Sequence, residues 1–176
     1  MQALLELAEK LLKSEVPLRR ILIRPHPHWS DHNLDACLKL VREHGDKCEL
    51  SHPAWSLEDD LCRSSVVIGI ASGVLTVASA AGLPTIFLRT ENGFSIRDLD
   101  CFSRGQTLLP DEAFREVSRL LTDRESYADA RMTAKRNAGE YYSGCANAEL
   151  DGAFFTRLLT NSDSRKREHA LKDQPR

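Results

Sequence analysis

Apolar residues recur at helical spacing from the start of the chain. Leu4, Leu5, Ala8, Leu11 and Leu12 form one stripe with Glu and Lys opposite, and predict a helix over residues 3–13. The run Arg20-Ile21-Leu22-Ile23-Arg24 reads as a short strand, stopped by Pro25 and Pro27, which lack a backbone N–H. Asp31 and Asn33 can cap a helix whose apolar side is Leu34, Cys37, Leu38 and Val41, ending at Gly45. Residues 47–51 form a weaker strand, closed by His52-Pro53. Ser56 can cap a short helix over residues 57–61, with Asp59 three positions on in the capping-box place. The most continuous apolar run, residues 65–70, predicts a buried strand. Ala71-Ser72-Gly73 then turns into a small-residue helix over residues 74–81, ended by Gly82, and residues 84–88 make the next strand.

Beyond Leu88 the pattern loosens. Residues 89–104 are polar and read as a loop with a helical turn near Ile96, and residues 106–109 as a last short strand. Pro110-Asp111-Glu112 opens a helix with Phe114, Val117, Leu120 and Leu121 inward, as Pro and acids favour a first turn. Helices follow over residues 126–138 and 148–159, the second striped by Leu150, Phe154, Leu158 and Leu159. Residues 162–176 are polar and aperiodic and predict a disordered tail, leaving one domain over residues 1–161. Strands alternating with helices imply an α/β fold built on a doubly wound parallel sheet, Rossmann-like, with a helical C-terminal end. Ile21, Cys48, Ile68 and Ile86 are expected on neighbouring strands of one sheet. The strands at residues 21–23 and 66–70 should be central, being the most apolar.

Composition narrows the function classes. The 176 residues are 41% hydrophobic and 28% charged, a balance that supports a packed core without metal or disulfide staples. Lys and Arg number 24 against 26 Asp and Glu, so no basic excess recruits nucleic acid. The longest apolar stretch, residues 66–81, is broken by Gly69, Ser72, Gly73, Thr76 and Ser79, and no transmembrane segment is expected. Glu6 and Glu9 sit where a signal peptide would be basic or apolar. The five Cys include no CxxC pair and read as reduced packing thiols, which together predict a cytoplasmic protein.

Ligands of open parallel sheets bind beyond the carboxyl ends of the strands. That rule selects the loops Arg24–Trp29, His52–Trp55 and Ala71–Gly73. Four of the six histidines, His26, His28, His32 and His52, lie in or just after the first two, with both tryptophans. His26, held between prolines and beside Arg24, suits an anion such as a phosphate. The plainer alternative is that His26 or His28 satisfies carbonyls in a Pro-rich turn. A metal held by His26, His28 and His32 lacks a recognised spacing. Ser72 and Gly73 open a helix after a buried strand, offering N–H groups and a dipole end, with Thr76 adding a hydroxyl. The loop is neither a Walker loop nor GxGxxG, and taken alone Ser72 is an N-cap and Gly73 a packing glycine. Glu58, Asp59 and Asp60 read as a solvated helix start. Glu91 and Asp98, in the irregular segment after the strand at 84–88, could hold a sugar or ribose but read first as solvated surface charges.

Arg24-Pro25-His26-Pro27, the later Ser56-Leu57-Glu58-Asp59-Asp60-Leu61 segment, and residues 67–86 with Ser72, Gly73 and Gly82-Leu83-Pro84 together resemble a known family. It is the C-terminal half of GT-B glycosyltransferases of bacterial capsule, sialyltransferase-like and polyglycerolphosphate-transferase type. The resemblance covers residues 20–142 on short motifs. It implies a CMP- or CDP-linked donor whose phosphate meets His26 and Ser72, with Arg24 as supporting cation and the His52-Pro53-Ala54 loop beside the base. His26 would be the catalytic position, stabilising charge on the leaving phosphate. The resemblance implies a donor-binding domain in surface-polysaccharide synthesis, cytoplasmic or peripheral to the inner membrane. The nucleotide sugar is its substrate, and no cofactor or metal is required. The partner would be an N-terminal GT-B domain, separate or missing. Val77 stands where many members carry a ribose- or sugar-binding Glu. The alternatives are a UDP- or CDP-dependent transferase or epimerase half, and a non-catalytic nucleotide-binding module.

Overall fold

The computed structural model describes residues 1–26, 29–70, 72–89 and 107–144. The expected features at Pro27, His28, Ala71, residues 90–106, the helix at 148–159 and the tail at 162–176 lie outside the described residues. The chain divides into two compact units, Met1–Ala138 and Gly139–Arg176, and the strands and both cavities described belong to the first.

The elements in order are α1 (Gln2–Leu12), β1 (Ile21–Ile23), α2 (Asp31–His44), β2 (Cys48–Leu50), α3 (Leu57–Cys62) and β3 (Val67–Gly69). They continue with α4 (Gly73–Ala80), β4 (Thr85–Leu88), β5 (Thr107–Leu108), α5 (Pro110–Thr122) and α6 (Arg124–Gly144). The capping box at α3 forms as its sequence predicts. Ser56 Oγ accepts from the Asp59 N–H at 3.1 Å, and Asp59 Oδ2 accepts from the Ser56 N–H at 2.8 Å. At α2 the cap is Ser30, one residue before the expected Asp31, with its side chain accepting from the Asn33 N–H. Gly45 ends α2 at φ +51° and Gly82 follows α4 at φ +76°, left-handed positions that favour glycine.

Every strand pairing is parallel, so the α/β class holds, but the strands form two small sheets, β1-β2 and β3-β4-β5, in place of one. Among the described residues β1 hydrogen-bonds to β2 alone, and β3 lies at an edge. The centre of the three-stranded sheet is β4, where Ile86, Phe87 and Leu88 are all buried. The reason lies between β1 and β3. All of residues 66–70 line a cavity shared with Leu22 of β1. Successive strand residues point to opposite faces, so a cavity touching five in a row runs along the strand's edge. The strand edge that would continue the sheet is open to that cavity.

Helix α1 joins the two sheets. Its Leu7 and Leu11 are buried in a cluster with Ile86, Leu88, Val117 and Leu120, while Leu12 is buried with Leu40 and Cys48. Ile21 and Leu18 pack against both clusters. Gly69 brings β3 close to α4, since a Cβ there would meet Leu75 Cδ1 at 3.1 Å.

The polar perimeter makes stability acid-sensitive. Burial raises the Glu49 carboxyl, but hydrogen bonds and charge from Arg20 and Arg63 together outweigh it and hold the group below its ordinary value. Asp59 is lowered by the Ser56 N–H and hydroxyl, and Asp111 by Lys10. Asp123 is lowered by Ser126 and the Glu125 N–H. A depressed folded-state carboxyl stabilises above its unfolded value, about 3.9 for Asp and 4.3 for Glu, and that contribution disappears as pH falls through the lower folded value. Urea midpoints are therefore expected to stay level from pH 7 to about 5 and to fall below about 4. Glu49→Gln should flatten the fall, and an unchanged acid limb in that variant would show the pairing of Glu49 with Arg20 and Arg63 to be absent in solution.

Candidate functional site

The loop after β1 carries Arg24, Pro25 and His26, and the Trp29 N–H donates to the His26 carbonyl at 3.0 Å. The loop after β2 is tied to it, because the Ser51 N–H donates to the Ile23 carbonyl at 2.8 Å. Arg24 then reaches across. Its Nη1 pairs with the Asp60 carboxylate and donates to Ser51 Oγ at 3.4 Å and to the Ser56 carbonyl at 3.3 Å. Ser51 Oγ donates to Asp60 Oδ2 at 2.6 Å. Arg24 is thus a clamp between two loops and α3.

Asp60 corrects the sequence reading. Glu58 and Asp59 are exposed at the start of α3 as expected, but Asp60 is 4% exposed. Leu57, Asp60 and Leu61 stand at i, i+3 and i+4, so Asp60 shares the inward face of the helix. That spacing was visible in the sequence, masked by three consecutive acids.

A cavity of about 410 Å³ opens between β1 and β3, in the size range of small-ligand sites. Its polar lining is Arg24, His26, Asn33, Asp60, Ser64 and Ser72. Leu4, Leu22, Leu57 and Leu61, with residues 66–70, supply apolar walls. Three expected site residues, Arg24, His26 and Ser72, therefore line one cavity between β1 and β3.

The other expected residues do not line it. His52 Nδ1 accepts from the Ala54 N–H at 3.2 Å, and the ring tilts against Trp55 at 5.8 Å. Trp55 is covered in turn by the Arg63 guanidinium at 4.0 Å. These contacts give His52 a turn-forming role. Gly73 is exposed with open space where a Cβ would stand, and Thr76 is half-buried along α4. Ser72 caps α4, its Oγ accepting from the Val74 N–H at 3.3 Å. The cap bond and the cavity position coexist, because an N-cap leaves other first-turn N–H groups unpaired.

Among the described residues no three His, Cys, Asp or Glu converge as a metal set, and no helix is long and apolar enough to cross a membrane. Burial pushes the Cys48 thiol up to about 11, with Cys37 and Glu49 adding to it, so Cys48 is a packing thiol and no nucleophile at neutral pH. A second, larger cavity of about 700 Å³ lies along the body of β4 between α5 and α6. Its Arg119 is paired to Glu116 at 2.7 Å, and it holds none of the residues selected from the sequence. The smaller cavity is the stronger candidate because it gathers Arg24, His26 and Ser72.

No protein-family model, no curated protein and no solved structure matches the chain.

Proposed function

We propose that the protein binds a nucleotide-linked sugar through its phosphate, as the donor half of a metal-independent glycosyltransferase of GT-B type. The observation that carries this reading is the meeting of His26, Arg24 and the Ser72 helix start at one cavity between β1 and β3. Two parallel sheets, β2-β1 and β3-β4-β5, are compatible with the order 2-1-3-4-5 of a doubly wound sheet. The cavity then falls between β1 and β3, where that order reverses and ligands are held.

In this reading the first-turn N–H groups of α4 and the His26 imidazole donate to the phosphate. The same donors stabilise the charge that builds on it as the sugar leaves. The apolar wall of β3 takes the flat body of the nucleoside. The acceptor and its general base come from a second domain.

Titration calorimetry with CMP and CDP tests the phosphate site. His26→Ala is expected to weaken binding about tenfold or more, the loss of a charge-assisted hydrogen bond, and Ser72→Ala about fivefold. His52→Ala, outside the cavity lining, should leave affinity within about twofold. Equal affinities in all three variants and the parent would reduce His26 and Ser72 to turn and cap roles.

A further inference from the structure

Asp60 has an acceptor that the fold does not use. Its side chain is 6% exposed, Oδ2 is engaged by Arg24 and Ser51, and Oδ1 is buried with no hydrogen-bond donor among the described residues. Among the described residues it is the buried side-chain oxygen or nitrogen in that position. Asp60 also lines the cavity that holds His26 and Ser72. A buried carboxylate oxygen left unpaired is costly, so a seat of this kind persists where something else supplies the donor.

We propose that Asp60 Oδ1 accepts a hydrogen bond from one uncharged donor, a hydroxyl or an N–H, on the ligand in this cavity. The inference rests on the nucleotide reading above and adds a second anchor to it. The donor is uncharged because Arg24 already balances the carboxylate, and a second cation would crowd the guanidinium. It is single because Oδ2 is occupied, which excludes ligand faces that pair with both oxygens of a carboxylate. Leu57 and Leu61 flank Asp60 on α3, so the donor sits at the border of an apolar body. A nucleotide offers two such groups, a ribose hydroxyl and an exocyclic base amine. With phosphate at His26 and Ser72, an anion anchor and a donor anchor would orient the ligand between them.

Calorimetry on the full chain with CMP, 2′-deoxy-CMP, 3′-deoxy-CMP and UMP separates the two sources. The analogue lacking the matching donor should bind roughly ten- to a hundredfold more weakly than CMP. In Asp60→Asn, whose amide can keep its oxygen toward Arg24 and Ser51 and turn its NH₂ to the cavity, that ratio should collapse toward one. Should Asp60→Asn alone fail to fold, the Arg24→Gln/Asp60→Asn pair removes the unbalanced charge and is compared with Arg24→Gln. A collapsing deoxy ratio identifies a ribose hydroxyl, and a collapsing UMP ratio identifies the base amine. If His26→Ala weakens CMP binding while all analogue ratios survive the Asp60 change, Oδ1 is a water seat and the inference is overturned with the phosphate site intact. If the parent binds no nucleotide of the panel, the nucleotide reading fails and this inference with it.

Discussion

Arg24→Ala is expected to destabilise the protein by about 3 kcal/mol, the low end of what breaking a buried ion pair costs. The asymmetry of the pair sets the direction. Asp60 is 6% exposed and loses its countercharge, whereas the Arg24 side chain is 35% exposed and partly screened by water. Arg24 also bridges Ser51 and the Ser56 carbonyl, so its loss uncouples both loops from α3. At about 2–4 °C per kcal/mol for a chain of this size, the melting temperature should fall by about 6–12 °C. Replacing the pair by Arg24→Leu with Asp60→Leu should recover much of the loss, because no charge is then left buried. A fall below about 2 °C in Arg24→Ala would place the guanidinium in solvent and remove the clamp.

Leu7→Ala is expected to cost about 2–5 kcal/mol, read as a shift of the urea midpoint at constant slope. Leu7 is 2% exposed and sits with Leu11, Ile86, Leu88, Val117 and Leu120, so truncation leaves a void between α1, α5 and β4. Leu5→Ala, half-buried beside the second cluster, should cost about 1 kcal/mol. Equal losses at the two positions would mean that α1 is rotated from the position described.

The same helix shows how far local pattern reaches. Helical spacing placed α1 and the inward Leu11 and Leu12, yet the stripe Leu4, Leu5, Ala8, Leu11 and Leu12 omits Leu7. A helix wedged between two clusters is apolar over a wider arc than a helix lying on one face, so the most buried residue falls between the obvious stripes. The capping box at Ser56 and Asp59 was legible for the opposite reason. Its bonds span three residues and depend on nothing distant.

His26 and Ser72 line the cavity, and the sequence singled out each because it lies in the loop that follows a strand. His52 met the same rule and yet does not line the cavity, because its ring is drawn to the Ala54 N–H and to Trp55. Asp60 was hidden by its neighbours. In a run of three acids, composition says surface, and only the turn of α3 decides which one faces inward.

By itself the sequence determined the alternation of helices with strands, the capping box at Ser56 and Asp59, and the loops that could hold chemistry. These depend on contacts within a few residues and on the bulk balance of charge and apolarity. Tertiary structure decided that β1 and β3 stand apart, that β4 and not β3 is central, and that Arg24 is committed to Asp60. Those outcomes follow from which distant side chains compete for the same space and the same hydrogen bonds. No window along the chain contains both members of such a competition, as with Arg24 and Asp60, 36 residues apart.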